Sequence, residues 1–230
     1  MEYPHPQNGN LTLTDQPFWH GFALIPEYAP YVTQYLTRTF EVLGKAIENN
    51  RRLTVVRFDL RLPNGMKDPG PGIITRFVES LQSQVDADQA QKDREGKRGR
   101  HCRVRYIWTR EQDRSESGHY HVAIMVNRDA YRFLGGYPAS NGYVEPPQRP
   151  GNRTLADMIV RAWARALDLI NVEEAIGCVH FCRNGVYWLD ANGPTFSEQL
   201  KGVFYRLSYF AKADTKHYGD GAHSFGSSRK

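Results

Sequence analysis

The chain has 230 residues, 40% hydrophobic and 12% aromatic, and a net charge of +5, enough for one large domain with a sizeable core. Its mild basicity permits a nucleic-acid partner without requiring one. No apolar run approaches the ~20 residues of a membrane span, and the N-terminus lacks a basic-then-apolar signal pattern, so no membrane partner and a cytoplasmic location are expected.

Residues 1–26 are irregular, rich in Pro, Asn and Thr. Tyr31, Val32, Tyr35, Leu36 and Phe40 recur at helical spacing and predict a helix from Pro26 to Asn49. Leu53–Leu62 reads as a strand with Val56, Phe58, Leu60 and Leu62 on one face and Arg57, Asp59 and Arg61 on the other; Pro63-Asn64-Gly65 ends it. A helix from Gly72 carries Phe77, Val78, Leu81 and Val85 and gives way to a charged stretch over Lys92–Arg100. Val104–Glu111 is a second strand, with Val104, Tyr106 and Trp108 on its apolar face. The polar residues 112–118 join it as a hairpin to a third strand containing His119-Tyr120-His121. A Gly/Pro-rich loop over 135–152 precedes an amphipathic helix over Thr154–Ile170. Cys178–Arg183 and Val186–Leu189, joined by Asn184-Gly185, predict a second hairpin. Ser197 caps a final helix to about Ala213, and the Gly/Ser-rich tail 217–230 is expected to be flexible. Three cysteines, Cys102, Cys178 and Cys182, without zinc-ligand spacing, read as free thiols of a reducing compartment. The order predicts an α+β fold, an antiparallel central sheet flanked by helices, with one domain over 27–216.

In a strand, His119 and His121 point to the same face, while Tyr120, Val122, Ile124 and Val126 point to the other. Glu111 has the parity of that histidine face, and hairpin pairing brings it alongside. Two imidazoles and a carboxylate make a three-ligand site with open positions, which suits Mg²⁺ or Mn²⁺ with a phosphate oxygen. On the last helix, Tyr205 and Tyr209 are four apart, and Lys212 follows Tyr209 by three. A tyrosine is a weak nucleophile unless its phenolate is stabilised, which a neighbouring ammonium and a metal would both do. A cupin-type metal site would carry a Glu shortly after the His pair; none follows His121.

Strand-borne His-hydrophobic-His, an upstream Glu and a downstream helical Tyr with Lys resemble the HUH endonucleases, which initiate rolling-circle replication. Four segments are similar to the inovirus-type (filamentous phage) replication proteins, which share the YagK/YfjJ C-terminal domain. They are Val56–Pro63, Trp108–Asp113, His119–His121 with Val126-Asn127, and Tyr205–Lys216. The likeness runs from about Leu24 to Lys216. It implies an HUH core of RRM/ferredoxin-like type, metal on His119 and His121 with Glu111 as third ligand, and Tyr209 as nucleophile. Tyr205 is a candidate second nucleophile. Single-stranded origin DNA would be nicked to a 5′-phosphotyrosine and later rejoined, in the cytoplasm of a bacterial host. Arg57, Arg61, Arg103, Arg105 and Lys212 are candidates for phosphate contacts. No Gly-Lys-Ser/Thr phosphate loop is present, so unwinding falls to a host helicase. The alternative is a non-enzymatic DNA-binding regulator on the same fold.

Overall fold

The computed structural model describes residues 1–66, 69–111, 118–139, 142–144, 153–216, 218–219 and 221–229. The chain opens with β1 (Glu2–His5), β2 (Asn8–Thr14), β3 (Phe18–Trp19), β4 (Phe22–Ala23), a 3-10 turn (Pro26–Tyr28), β5 (Tyr31–Val32) and α1 (Thr33–Asn49). Then come β6 (Arg52–Arg61), α2 (Ile73–Arg94), β7 (Arg105–Glu111), β8 (His119–Asn127), β9 (Tyr137–Ala139), β10 (Gly142–Val144), α3 (Leu155–Ala166) and α4 (Glu173–Ile176). The last elements are β11 (Val179–Asp190), α5 (Phe196–Ser208), a second 3-10 turn (Tyr209–Ala211) and β12 (Phe225–Ser227).

The expected fold class is the observed one: a five-stranded antiparallel sheet in the order β11-β6-β8-β7-β12, flanked by helices. The β-branched and aromatic run Leu53-Thr54-Val55-Val56-Arg57-Phe58 places β6 at the sheet's interior. Even-numbered residues of β6 and β8, among them Phe58, Leu60, Tyr120, Val122 and Ile124, pack against Phe77 and Leu81 of α2 and Ile159 and Trp163 of α3. Thr154 and Asp157 close a reciprocal cap at the start of α3. The opposite face is also covered. Leu53, Val55, Ile107, Ala123 and Met125 pack under Val42 and Leu43 of α1 and Val203 and Leu207 of α5. The face that carries the histidines is therefore a second core along the half away from them.

Five elements differ from expectation. Residues 1–26, expected to be irregular, form β1–β4, with β1 paired to β2 and β3 to β4, both antiparallel. The helix expected from Pro26 starts at Thr33, because Pro30 has no N–H to give and disfavours helical backbone at Ala29. The expected hairpin at Asn184-Gly185 is one long bulged strand. β11 pairs with β6 on both sides of the bulge, Phe181 opposite Phe58 and Val186 opposite Val56. Asn184 takes a left-handed conformation (φ 56°) that serves a bulge as well as a turn. A side chain at Gly185 would run into the Arg57 carbonyl at 2.6 Å. The final helix starts at Phe196 and stops at Ser208, where the Ser208 hydroxyl donates to the Tyr205 carbonyl at 2.7 Å; the 3-10 turn follows. The tail expected to be flexible supplies β12, which pairs with the outer edge of β7. There Gly226 passes so close to Trp108 that a Cβ would lie 2.6 Å from its ring. Residues 112–117 of the first hairpin, and 140, 141 and 145–152 of the Gly/Pro-rich loop, lie outside the described residues. Among the described residues, no helix is long and apolar enough to cross a membrane, and all three cysteines are free.

Candidate metal and nucleophile site

β8 lies between β6 and β7, so each histidine gains a cross-strand neighbour on both sides. His119 stands opposite Glu111 and Arg61; His121 stands opposite Thr109 and Asp59. The hairpin register thus brings Glu111, His119 and His121 together, with their candidate ligand atoms within 4.8 Å of one another. The two Nε2 atoms are 3.1 Å apart, and Glu111 Oε2 is 3.2 Å from His121 Nε2.

Asp59 Oδ1 lies 2.6 Å from His121 Nδ1. With Nδ1–H given to Asp59, a neutral His121 presents the Nε2 lone pair toward Glu111 and His119, as a metal ligand must. Reasoning from sequence alone left Asp59 beside Arg57 without this part. Its signal was the shared parity with Arg57, but only the β6–β8 pairing, across about sixty residues of chain, makes it His121's partner.

The 3-10 turn completes the cluster. Three residues per turn place Tyr209 and Lys212 in line, with Lys212 Nζ 2.9 Å from the Tyr209 hydroxyl. That hydroxyl is 3.3 Å from Glu111 Oε2 and 3.2 Å from His121 Nε2. Lys212 Nζ also reaches Glu111 Oε2 at 2.8 Å. Arg57 lies over the Tyr209 ring, with Cζ 4.7 Å from its centroid, and donates to Cys182 Sγ at 3.1 Å. The backbone of Lys212 is fixed by a bridge to Tyr31, and Ala213 N–H donates to the Pro30 carbonyl at 2.9 Å.

Arg57, Asp59, Glu111, His121 and Lys212 are all buried. Replacing buried ion pairs by hydrophobic side chains is often neutral or stabilising, so stability is a poor reason for this concentration of charge. Burial pushes the Glu111 carboxyl up, but His121 and Lys212 outweigh it and hold it down at about 2. Burial likewise lowers the His121 imidazole, and its hydrogen bonds to Asp59 and Glu111 overcome that, leaving it above its ordinary value. Tyr209 moves up: burial and the Glu111 charge outweigh the help of Lys212. The expected phenolate stabilisation by Lys212 is thus present in geometry yet insufficient alone. Among the described residues, Glu111 Oε1 is buried with no hydrogen-bond partner. An orphaned carboxylate oxygen beside two facing imidazole nitrogens fits a divalent cation, whose charge would also relieve the penalty on the Tyr209 phenolate.

The remaining expected residues separate. Tyr205 is 39% exposed, and among the described residues its hydroxyl is not part of the cluster's hydrogen bonds. Arg61 is exposed next to His119. Arg57 is buried and spent on Tyr209, Cys182 and Asp59, so it is no groove cation. Arg105 is also buried and sits six residues from Glu111 along β7, about 20 Å away. Arg103 lies beyond it at that same far end. Both were grouped with the site on charge alone; strand geometry sends them to the opposite end of the sheet.

A family model described as the YagK/YfjJ C-terminal domain matches residues 14–228. The uncharacterized protein YagK of Escherichia coli (strain K12) is 32% identical over 209 residues, covering 86% of this chain and 94% of that protein. The uncharacterized protein YfjJ of the same strain is 29% identical over 214 residues, covering 88% and 97%. No solved structure matches the chain.

Proposed function

The chain belongs to the YagK/YfjJ C-terminal domain family, and we propose that it is an HUH-type endonuclease that nicks and rejoins single-stranded DNA to initiate rolling-circle replication. One observation carries the reading: a tyrosine oxygen within 3.3 Å of both a candidate metal-binding carboxylate and a candidate metal-binding imidazole, with a lysine ammonium at 2.9 Å. That is a nucleophile, a metal triad and a charge partner at a single point.

Glu111, His119 and His121 would hold Mg²⁺ or Mn²⁺, which would polarise the scissile phosphate and offset the charge of the attacking oxygen. The Tyr209 oxygen attacks phosphorus, and the bond from phosphorus to the 3′-oxygen breaks. The phenol loses its proton, and the departing 3′-oxygen gains one. The 5′-phosphate remains on Tyr209 as an ester, so a later 3′-hydroxyl can reverse the step and close a circle. Lys212 holds the Tyr209 oxygen in place and screens it from Glu111. Asp59 orients His121, and Arg57 fixes the Tyr209 ring. Among the described candidate cations, Arg61 is the exposed one beside His119 and would meet the strand at the cluster's edge. The chain's partners in this reading are origin single-stranded DNA and a host helicase.

The test uses labelled single-stranded oligonucleotides tiling the DNA around the chain's own coding sequence, with and without Mn²⁺, run on denaturing gels. A covalent protein–DNA band that needs Mn²⁺ and vanishes in Tyr209→Phe is expected. Phe keeps the ring and its packing, so the loss reads as chemistry. DNA binding without any adduct from the wild type sinks the endonuclease reading in favour of a DNA-binding regulator.

A further inference from the structure

A groove of about 760 Å³ opens against Lys212, within the ~300–1,000 Å³ range of small-molecule sites. His5, Gln7, Tyr28, Lys212, Thr215 and Lys216 are among its lining residues. Tyr28 rides on the first 3-10 turn, just ahead of Pro30 and Tyr31, the residues that bind the Lys212–Ala213 backbone. The Tyr31 hydroxyl donates back to the Ile25 carbonyl and closes the turn. The platform is therefore closed on itself and tied through Pro30 and Tyr31 to the segment that carries Lys212.

Tyr28 is 37% exposed, yet its ring stands edge-on to the nucleophile's ring, 4.9 Å between centroids. Lys212 Nζ is 5.6 Å from the Tyr28 centroid and 4.4 Å from that of Tyr209. A half-exposed ring contributes little to a core. An open aromatic surface with a cation at its rim is what an unpaired base and its phosphate require. Glu27 and Asp214 also line the groove, so it disfavours a run of phosphates and favours contact through a base.

Resting on the nicking reading above, we infer that this groove seats a nucleotide flanking the scissile phosphate, its base stacked on Tyr28 and its phosphate toward Lys212. Tyr28 is then a positioning residue that reads the strand next to the cut.

The test takes the tiled oligonucleotide that the wild type cuts, with 2-aminopurine placed in turn at each nucleotide flanking the junction. Wild type, Tyr28→Phe and Tyr28→Ala are compared for KM, kcat and probe fluorescence, with thermal unfolding confirming equal folding. The expected result is quenching at one flanking position by wild type and Tyr28→Phe. Tyr28→Ala should abolish that quenching and raise KM about tenfold with kcat nearly unchanged. Unchanged KM and quenching in Tyr28→Ala overturn the groove assignment while leaving the nicking reading standing. A fall in kcat alone also overturns it, since Tyr28 would then act only by bracing Tyr209. If the wild type cuts none of the tiled oligonucleotides, the nicking reading falls and the groove assignment falls with it.

Discussion

The two faces of the central sheet come from the same strands and differ only in residue parity, yet they are built on opposite terms. Even-numbered positions are apolar along β8 from Tyr120 to Val126 and along β6 from Val56 to Leu60. Odd-numbered positions begin apolar, with Leu53, Val55 and Met125 under α1 and α5. They then turn polar and stay buried, through Arg57, Asp59, Thr109, Glu111 and His121. The change falls where α5 ends and the Tyr209 turn takes over. One face gives all of its length beyond Thr54 to cohesion. The other confines cohesion to half and gives the rest to the buried charges of the cluster.

The largest effect should come from breaking the cohesive face. Phe58→Ala removes a fully buried ring against Phe77 and Phe181 and should cost ~3–5 kcal/mol of stability. Denaturant unfolding measures it, and the folded fraction should still bind Mn²⁺ with unchanged affinity. A matching loss of affinity per folded molecule would erase the distinction between the faces.

A smaller effect tests the polar face. Asp59→Asn keeps the shape but removes the charge that orients His121, and should weaken Mn²⁺ binding roughly 10–100-fold. Isothermal calorimetry reads it; stability should move by less than in Phe58→Ala.

Next is pH. A ligating imidazole must lose its proton, and His121 holds that proton more tightly than an ordinary histidine. Mn²⁺ affinity should therefore fall about tenfold per pH unit below the raised His121 value and level off above it. In Asp59→Asn, one cause of the elevation is gone, so the falling limb should move to lower pH. An affinity flat across pH 5–8 would remove His121 from the ligand set.

The smallest effect belongs to Tyr205→Phe. Its exposed hydroxyl lies outside the cluster, so adduct formation should stay within about twofold of wild type on denaturing gels, the range of an ordinary surface change. Loss of the adduct here, with retention in Tyr209→Phe, would exchange the two roles.

What was legible in the sequence follows from how far apart the interacting residues lie. The histidine pair and Glu111 were readable because a hairpin pairs neighbours in the chain, and period two fixes their common face. Tyr209 and Lys212 were readable because three residues span one turn of either helix type. Asp59 was not assigned to His121, because nothing local says that β6 lies beside β8. Asn184-Gly185 was read as a turn because a turn and a bulge use the same left-handed residue. Arg57 and Arg105 were read as exposed cations because charge implies solvent on average. Both stand on a sheet face roofed by α1 and α5, which a strand-by-strand reading cannot see.

β12 has a consequence in time. It covers the outer edge of β7, yet it is made about a hundred residues after β7 ends. At about 5–20 residues per second, synthesis leaves that edge bare for roughly 5–20 s. During that interval the sheet already exists in prospect as a row of unmatched amides and carbonyls ready to accept any extended strand. The hazard ends only when Phe225–Ser227 arrives, so the last strand acts as a clasp on a structure otherwise complete.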